Sequence, residues 1–319
     1  MGKFYKILFI DNAHPCLSKE LKHLGFYCDY FPQYNRLDFE NCIHEYIGVI
    51  IRSKILFDKT IIDKATNLKF IARVGAGMES IDVAYAQSKG IACINSPEGN
   101  RDAVGEHALG MLLNLLNNIC KANHQIRKGI WLREENRGIE IKHKTIGIIG
   151  YGNMGSSFAR KLKGFEANVI AYDKYKFNYT DEFVKETTME ELFENTDVLS
   201  LHLPLTEETK YLVNAEFINK FKKNIYIINT ARGKIIKTKD LVVELERGKV
   251  LGAALDVMEY ENHSFEFIDN KDIPEDFRYL LKSENVILTP HIAGWTMESK
   301  IKLSMVIVEK IKKLKLIIN

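Results

Sequence analysis

The sequence predicts an α/β protein made of two doubly wound parallel-sheet domains, and three observations lead there. Short β-branched runs alternate with helical patterns almost from the first residue, as parallel βαβ units covered on both faces require. The chain has 319 residues, 46% hydrophobic and 27% charged, enough for about two domains, each burying its own core. Near its middle, a glycine-rich turn joins an apolar strand to a helix at residues 144–159, and open α/β sheets bind ligands at such strand ends.

Taken in order, residues 4–10, 27–31, 49–51, 70–74 and 91–94 read as strands. Residues 16–24 and 58–65 between them carry apolar positions at helical spacing. The first hundred residues therefore form one small α/β unit. Residues 102–128 read as one long helix, with Asn100 or Asp102 as N-cap and apolar residues from Ala103 to Ile119 spread round its circumference, so it must be buried on several sides. A second series follows at residues 145–150, 168–172, 198–201, 225–228, 251–255 and 286–288, six strands in all, the usual size of a dinucleotide-binding sheet. Residues 297–318 form an amphipathic helix that ends in lysines, where cations suit the helix dipole.

Composition excludes several function classes. Lys plus Arg total 45 against 42 Asp plus Glu, a formal charge of +3, too weak a field to call for nucleic acid. No apolar run approaches the roughly 18 residues of a membrane span, and the apolar residues 7–10 are too short for a signal-peptide core. A cytoplasmic chain without a membrane partner is expected. The five cysteines are odd in number and lack CxxC spacing, which predicts reduced, partly buried thiols. The nine histidines show neither HxxxH nor HExxH, so no metal site is expected.

The chemistry starts at the glycines. Gly150, Gly152 and Gly155 form a GxGxxG between strand and helix: the first permits the tight turn, the second lets the backbone approach a pyrophosphate, and the third lets helix and strand pack closely. The phosphates would sit at the helix N-terminus, at Asn153 and Met154. Alone, such a motif is often only a turn. Asp173 ends the next strand, 18 residues beyond Gly155, where a carboxylate accepts both ribose hydroxyls and repels a 2′-phosphate, so NAD is expected over NADP. Lys174 and Lys176 follow closely and oppose that repulsion.

Reducing a 2-oxo acid beside a nicotinamide needs a cation for the carboxylate, a proton donor for the carbonyl oxygen, and a group that keeps the donor charged. Arg232, the acidic stretch holding Asp256, Glu259 and Glu261, and His291 follow three successive strands. Singly, each is more often a surface or core-polar residue; together, behind a dinucleotide fingerprint, they read as a catalytic set. His107 and His202 lack a matched partner and are not expected to be catalysts.

Over essentially its whole length the sequence resembles the D-isomer-specific 2-hydroxyacid dehydrogenases. The resemblance rests on residues 72–82, Glu106-His107, the glycine fingerprint, residues 200–206, 229–233 and Thr289-Pro-His291. Arg52-Ser53, residues 95–100 and residues 291–296 bring it nearest to the short phosphoglycerate dehydrogenases.

That resemblance implies a Rossmann-type NAD domain inserted in a smaller flavodoxin-like substrate domain, with boundaries at 1–99, 100–288 and 289–319. It also implies that His291 is the acid/base, Glu261 its hydrogen-bond partner and Arg232 the carboxylate clamp. Backbone N–H groups of Val74, Gly75, Ala76 and Gly77 would complete the anion site. Asp256 would lie near the nicotinamide carboxamide, and His202, Pro204, Thr230 and Ala231 would line the cofactor. Arg52, Ser53 and Arg73 would meet the far end of the substrate. A homodimer through the long helix after residue 100 is expected. The expected reaction is NAD-dependent oxidation of 3-phosphoglycerate to 3-phosphohydroxypyruvate; lactate, glycerate or hydroxypyruvate as substrate, or a dinucleotide-sensing binding protein, are the alternatives. No proline follows Glu261 where many members have one, so Glu259 competes with it as the partner of His291.

Overall fold

The computed structural model describes residues 5–261 and 273–316. The chain divides into two compact units, Met1–Asn100 with Trp295–Asn319, and Arg101–Gly294. The first cut falls beside the expected boundary. The second lies six residues beyond 288, because residues 289–293 are hydrogen-bonded to Asp256 at a strand end of the inner unit.

The outer unit contains strands β1 (Lys6–Phe9), β2 (Tyr27–Tyr30), β3 (Gly48–Ile51), β4 (Phe70–Arg73) and β5 (Ala92–Ile94), joined by helices α1 (Pro15–His23), α2 (Arg36–Cys42), α3 (Lys59–Lys64) and α4 (Val83–Ser88). All pair in parallel in the order β2-β1-β3-β4-β5, the flavodoxin-like order. Helix starts follow local chemistry: Asn35 closes a capping box with Asp38, and Asp58 accepts from the Thr60 and Ile61 N–H groups. The helix Met297–Lys313 packs Ile307, Val308 and Ile311 against Ile7, Phe9, Ile50 and Phe70. Its Lys310 also binds the Asn95 carbonyl and the Glu98 carboxylate, so the chain's end completes the core that its beginning left open.

The inner unit opens with α5 (Arg101–Leu116) and α6 (Ile119–Arg127). These replace the single helix that the sequence predicts over 102–128. The break is at Asn118, whose φ of +53° is left-handed, and the Asn114 side chain accepts from the Cys120 N–H at 2.7 Å to cap the restart. The Asn100 Oδ1 is buried without a hydrogen-bond partner, so Asn100 is not the side-chain cap of α5. Its apolar residues are buried as expected, Ala103, Ala108, Met111, Leu112, Leu115 and Leu116 among them, whereas Ile119, beyond the break, is exposed.

The sheet then builds from β6 (Thr145–Ile149), α7 (Asn153–Lys161), β7 (Asn168–Tyr172), β8 (Lys185–Glu186), α8 (Met189–Asn195), β9 (Val198–Leu201), α9 (Ala215–Asn219), β10 (Ile225–Asn229), α10 (Thr238–Glu246), β11 (Val250–Leu255), α11 (Glu275–Lys282) and β12 (Val286–Leu288). The helix Met297–Lys313 of the outer unit is α12 and stops short of the expected residue 318; residues 317–319, like Phe4 at the start of the first expected strand, lie outside the described residues. Seven parallel strands run β12-β11-β10-β9-β6-β7-β8, one more than the sequence predicts. The extra strand is the two-residue β8, too short to leave a period. With β6 central and the order reversing between β7 and β9, the switch point falls at the C-terminal ends of β6 and β9.

All five cysteines are free thiols; four are half-buried, but Cys120 is exposed. No helix among the described residues is long and apolar enough to cross a membrane. The helix break yields a stability test. Asn118→Val, which resists the left-handed region, should cost about 1–2 kcal/mol and lower the thermal midpoint by several degrees, whereas Asn118→Gly should not. Equal midpoints for the two variants would show that the backbone at 118 does not set the break.

Candidate active site at the strand ends of the inner unit

The cofactor turn is built around space. Gly150 has φ +91°, and a Cβ there would meet the His202 carbonyl oxygen at 2.5 Å, so both conformation and the neighbouring β9 loop demand glycine. A Cβ on Gly155 would come within 2.1 Å of the Gly150 oxygen, which lets α7 start close under the turn. At Gly152, the residue before α7, nothing lies within 4 Å of a built Cβ. The backbone is thus bare and open where a pyrophosphate would approach.

Asp173 follows β7 and turns back to this loop. Its Oδ2 accepts from the Tyr151 N–H at 2.8 Å, and its Oδ1 accepts from Tyr175 and Lys176 N–H groups. An ionised carboxylate offers about four acceptor positions, so one remains for a ribose hydroxyl. The two neighbouring lysines are engaged elsewhere: Lys174 pairs with Glu208, and Lys176 Nζ donates to the Tyr151 carbonyl at 3.0 Å.

Other polar atoms wait at the same sheet edge. The Thr230 Oγ1 and the His202 Nδ1 are buried without a hydrogen-bond partner. Orphans of this kind are costly unless a ligand or water satisfies them, and together with the open Gly152 they fit a dinucleotide. Burial lowers the His202 pKa to about 4, so its imidazole is neutral and its Nε2 shares a hydrogen bond with Ser200. It is no proton donor near neutral pH. Pro204 is exposed and Ala231 buried beside Thr230.

Arg232 follows β10. Asn229, fully buried, donates to the Arg232 carbonyl and accepts from the Ala231 N–H, both at 3.0 Å, so it clamps the loop that presents the guanidinium. Sequence reasoning passed over Asn229 although it opens the same motif. A Cβ on Gly233 would lie 2.0 Å from the Met258 backbone; glycine there lets the loop after β11 pass against the Arg232 loop.

That second loop separates the two competing glutamates. Glu259 turns away, accepting from the Tyr211 hydroxyl at 2.8 Å and the Thr238 N–H at 2.9 Å, at the first residue of α10. Glu261 Oε2 instead lies 3.1 Å from His291 Nδ1. With Nδ1–H donated to the carboxylate, Nε2 is the other ring nitrogen.

Asp256 is completely buried. Its Oδ1 accepts from the Thr289 hydroxyl at 2.5 Å and the Ile292 N–H at 2.9 Å, and its Oδ2 from the Ala293 N–H at 2.8 Å. Burial pushes its pKa up, but hydrogen bonds from His107, Thr289, Ala293 and Ile292 outweigh burial and hold it below the usual value. Its contribution to stability is therefore complete above the ordinary carboxylate range and is lost as pH falls through the depressed value. The family resemblance implies Asp256 near a nicotinamide carboxamide; its side chain is bonded to the turn that carries His291.

In the outer unit, the loop after β4 is held by its neighbours. Val74 N–H binds the Ile51 carbonyl, and Gly75 N–H the Arg73 carbonyl and the Ser96 hydroxyl. These two expected anion donors are consumed by the fold. Ala76 and Gly77 N–H have no partner among the described residues and remain available. Arg73, 8% exposed, folds back so that its guanidinium lies where a Gly75 side chain would be, and it reaches the Arg52 carbonyl at 3.4 Å. It braces the loop. Arg52, beside the half-buried Ser53, stacks on the Trp295 ring at 4.6 Å and makes no ion pair among the described residues.

These contacts make the ribose assignment measurable. Asp173→Ala should weaken NAD binding about tenfold or more, the size of a lost charge-assisted hydrogen bond, while NADP binding holds or improves. An unchanged NAD to NADP ratio in a binding titration would remove Asp173 from that role.

Residues 109–293 match the family described as D-isomer specific 2-hydroxyacid dehydrogenase, NAD binding domain. Over 265 residues the chain is 38% identical to a hydroxypyruvate reductase of Thermotoga maritima, covering 83% of each. It is 35% identical over 271 residues to a D-3-phosphoglycerate dehydrogenase of Archaeoglobus fulgidus, covering 84% of this chain but 49% of that protein. The chain thus spans about half the length of that dehydrogenase. A D-lactate dehydrogenase of Aquifex aeolicus, solved with NAD and lactic acid, superposes with a TM-score of 0.80 at 28% identity, over 97% of this chain and 95% of the other. With the dinucleotide turn, the parallel sheets and these matches in agreement, the chain belongs to the D-isomer-specific 2-hydroxyacid dehydrogenase family, and its cofactor is NAD.

Proposed function

We propose that the protein reduces a three-carbon 2-oxo acid of the hydroxypyruvate class to the D-2-hydroxy acid, and runs the reverse oxidation. The observation that carries this reading is the 3.1 Å contact between Glu261 and His291 Nδ1, which leaves Nε2 as the exchangeable proton position. NAD, when bound, supplies or accepts the hydride. His291 Nε2 gives its proton to the carbonyl oxygen during reduction and takes it back during oxidation. Glu261 stabilises the imidazolium. Arg232 offers a planar fork of N–H donors to the carboxylate, and its loop is fixed by Asn229. The resemblance of the Thermotoga maritima hydroxypyruvate reductase over most of both chains supports this substrate class.

A second reading, oxidation of 3-phosphoglycerate, is favoured by Arg52. A guanidinium stacked on Trp295, in no ion pair among the described residues and only partly offset by the nearby Asp11 carboxylate, suits a phosphate at the far end of the substrate. Against it, Arg73 is spent as a brace, so one expected phosphate contact is missing. A purely dinucleotide-sensing protein would have no need of the His291 and Glu261 pair. The homodimer expected through the helical region after residue 100 stays part of this reading, supported by the exposed apolar residues Ile119, Ile126 and Trp131.

Turnover decides among these. NADH oxidation should be efficient with hydroxypyruvate, and no turnover with any 2-oxo acid would sink the enzyme reading. If 3-phosphohydroxypyruvate has the higher kcat/KM, the second reading replaces the first; Arg52→Met should then cut the ratio of phosphorylated to unphosphorylated efficiency about tenfold.

The glutamates give a separate test. Glu261→Gln should lower kcat about a hundredfold, within the usual range for general acid catalysis, with the thermal midpoint unchanged. Glu259→Gln should instead lower the midpoint and spare kcat, because it loses a charged acceptor at the start of α10. The opposite pattern would reverse the two assignments.

A further inference from the structure

We propose that His107 is a positioning residue for the turn that carries His291: its imidazole orients the Thr289 hydroxyl, which in turn locks the Asp256 carboxylate onto that turn. The inference rests on the reading of His291 as the acid, and it concerns a histidine for which neither composition nor motif supplied a partner.

Proton counting fixes the direction of the chain. Thr289 Oγ1 is 2.5 Å from Asp256 Oδ1 and 3.1 Å from His107 Nε2. An ionised carboxylate only accepts, so the single hydroxyl proton goes to Asp256. The Thr289 oxygen must then accept from His107, which carries its proton on Nε2. His107 Nε2 is itself 3.5 Å from Asp256 Oδ1, so the imidazole also approaches the carboxylate directly.

What the carboxylate holds is an unusual backbone. His291 has φ +55°, a left-handed conformation that a side chain of this size rarely adopts and that persists only where surroundings over-determine it. Its N–H binds the Asp256 carbonyl at 2.7 Å, while the Asp256 side chain takes the next two N–H groups, of Ile292 and Ala293. If Oδ1 rotates, the turn loses its template. His107 prevents this from a rigid base, since it lies within α5, whose buried face packs on the inner unit's core. Its side chain is 23% exposed and that of Asp256 is 0%, so water competes poorly for these bonds. A proton donor displaced by about an ångström can lose roughly a hundredfold in rate, so a residue that touches no substrate still governs kcat.

The test uses the whole chain as His107→Leu, His107→Gln and Thr289→Val, with NADH fluorescence titration to count binding sites, kcat and KM for hydroxypyruvate, and thermal midpoints. Per NADH-binding site, His107→Leu should lose about ten- to a hundredfold in kcat while KM stays within about threefold. His107→Gln, whose amide N–H reaches a similar point, should recover most of that loss, and Thr289→Val should reproduce it. Wild-type kcat per site in His107→Leu, a loss confined to KM, or no rescue by glutamine would overturn the proposal. If His107→Leu does not fold, the pair of His107→Gln and Thr289→Val decides: an active glutamine variant beside an impaired valine variant supports it, and two wild-type rates overturn it. His291→Asn separates the layers. An inactive His291→Asn beside an unimpaired His107→Leu sinks the positioning role alone, whereas an active His291→Asn sinks the acid assignment and the positioning role with it.

Discussion

One buried carboxylate ties the inner unit's chemistry to its sheet. Asp256 follows β11, Thr289 follows the neighbouring β12, and the Thr289 N–H and hydroxyl bind the Leu255 carbonyl and the Asp256 side chain. An ionised carboxylate in a site of zero exposure is affordable only when donors replace the water it has lost. Here the donors are the Ile292 and Ala293 N–H groups of the next turn, the Thr289 hydroxyl and His107, so the electrostatic requirement of Asp256 and the strained geometry of His291 satisfy each other.

The parallel sheet explains why the remaining groups arrive nearby in the same unit. Parallel strands end at one edge, and each crossover delivers the chain to that edge with a new loop. β6 ends in the glycine turn, β7 in Asp173, β10 in Arg232, β11 in Asp256 and β12 in the His291 turn. The loops must then pack on one another, and glycine is used where two backbones would collide. Gly150 faces the loop after β9, and Gly233 faces the loop after β11. Asn229 and Glu259 do the complementary work, using side-chain oxygens to tie those loops down.

Much of this was legible in the sequence because it rests on local periodicity or on a motif with its own mechanism. The strands and the glycine turn are of that kind, and so is the succession of Arg232, an acidic stretch and His291 after three strands. What escaped depends on contacts between residues far apart in sequence. The pairing of His107 with Thr289 spans 182 positions, and no pattern in α5 announces it. The choice between Glu259 and Glu261 turns on whether a loop reaches the N–H of Thr238 or the ring of His291. The break at Asn118 escaped because Asn is tolerable in a helix interior, and only the restart at Cys120 reveals that its backbone is left-handed.

Arg73 and Arg52 show the limit of reading a residue type as a role. They stand at the ends of neighbouring strands of the outer unit, Arg52 just after β3 and Arg73 as the last residue of β4. Arg73 is 8% exposed with its fork occupying the space left by Gly75. It therefore acts as the filler that a side chain at 75 would otherwise be, and its Nε donates to the Arg52 carbonyl. Arg52 instead lays its guanidinium on the face of Trp295, an interaction that orients a cation without neutralising it, and the Asp11 carboxylate that accepts from its backbone N–H offsets part of its charge. Burial raises the cost of holding that charge, which is why its pKa is lowered, and the same desolvation strengthens its attraction for any anion that replaces the missing water. One fold thus puts the same side chain to two structural uses, filling the space beside Gly75 in one case and covering the Trp295 ring in the other.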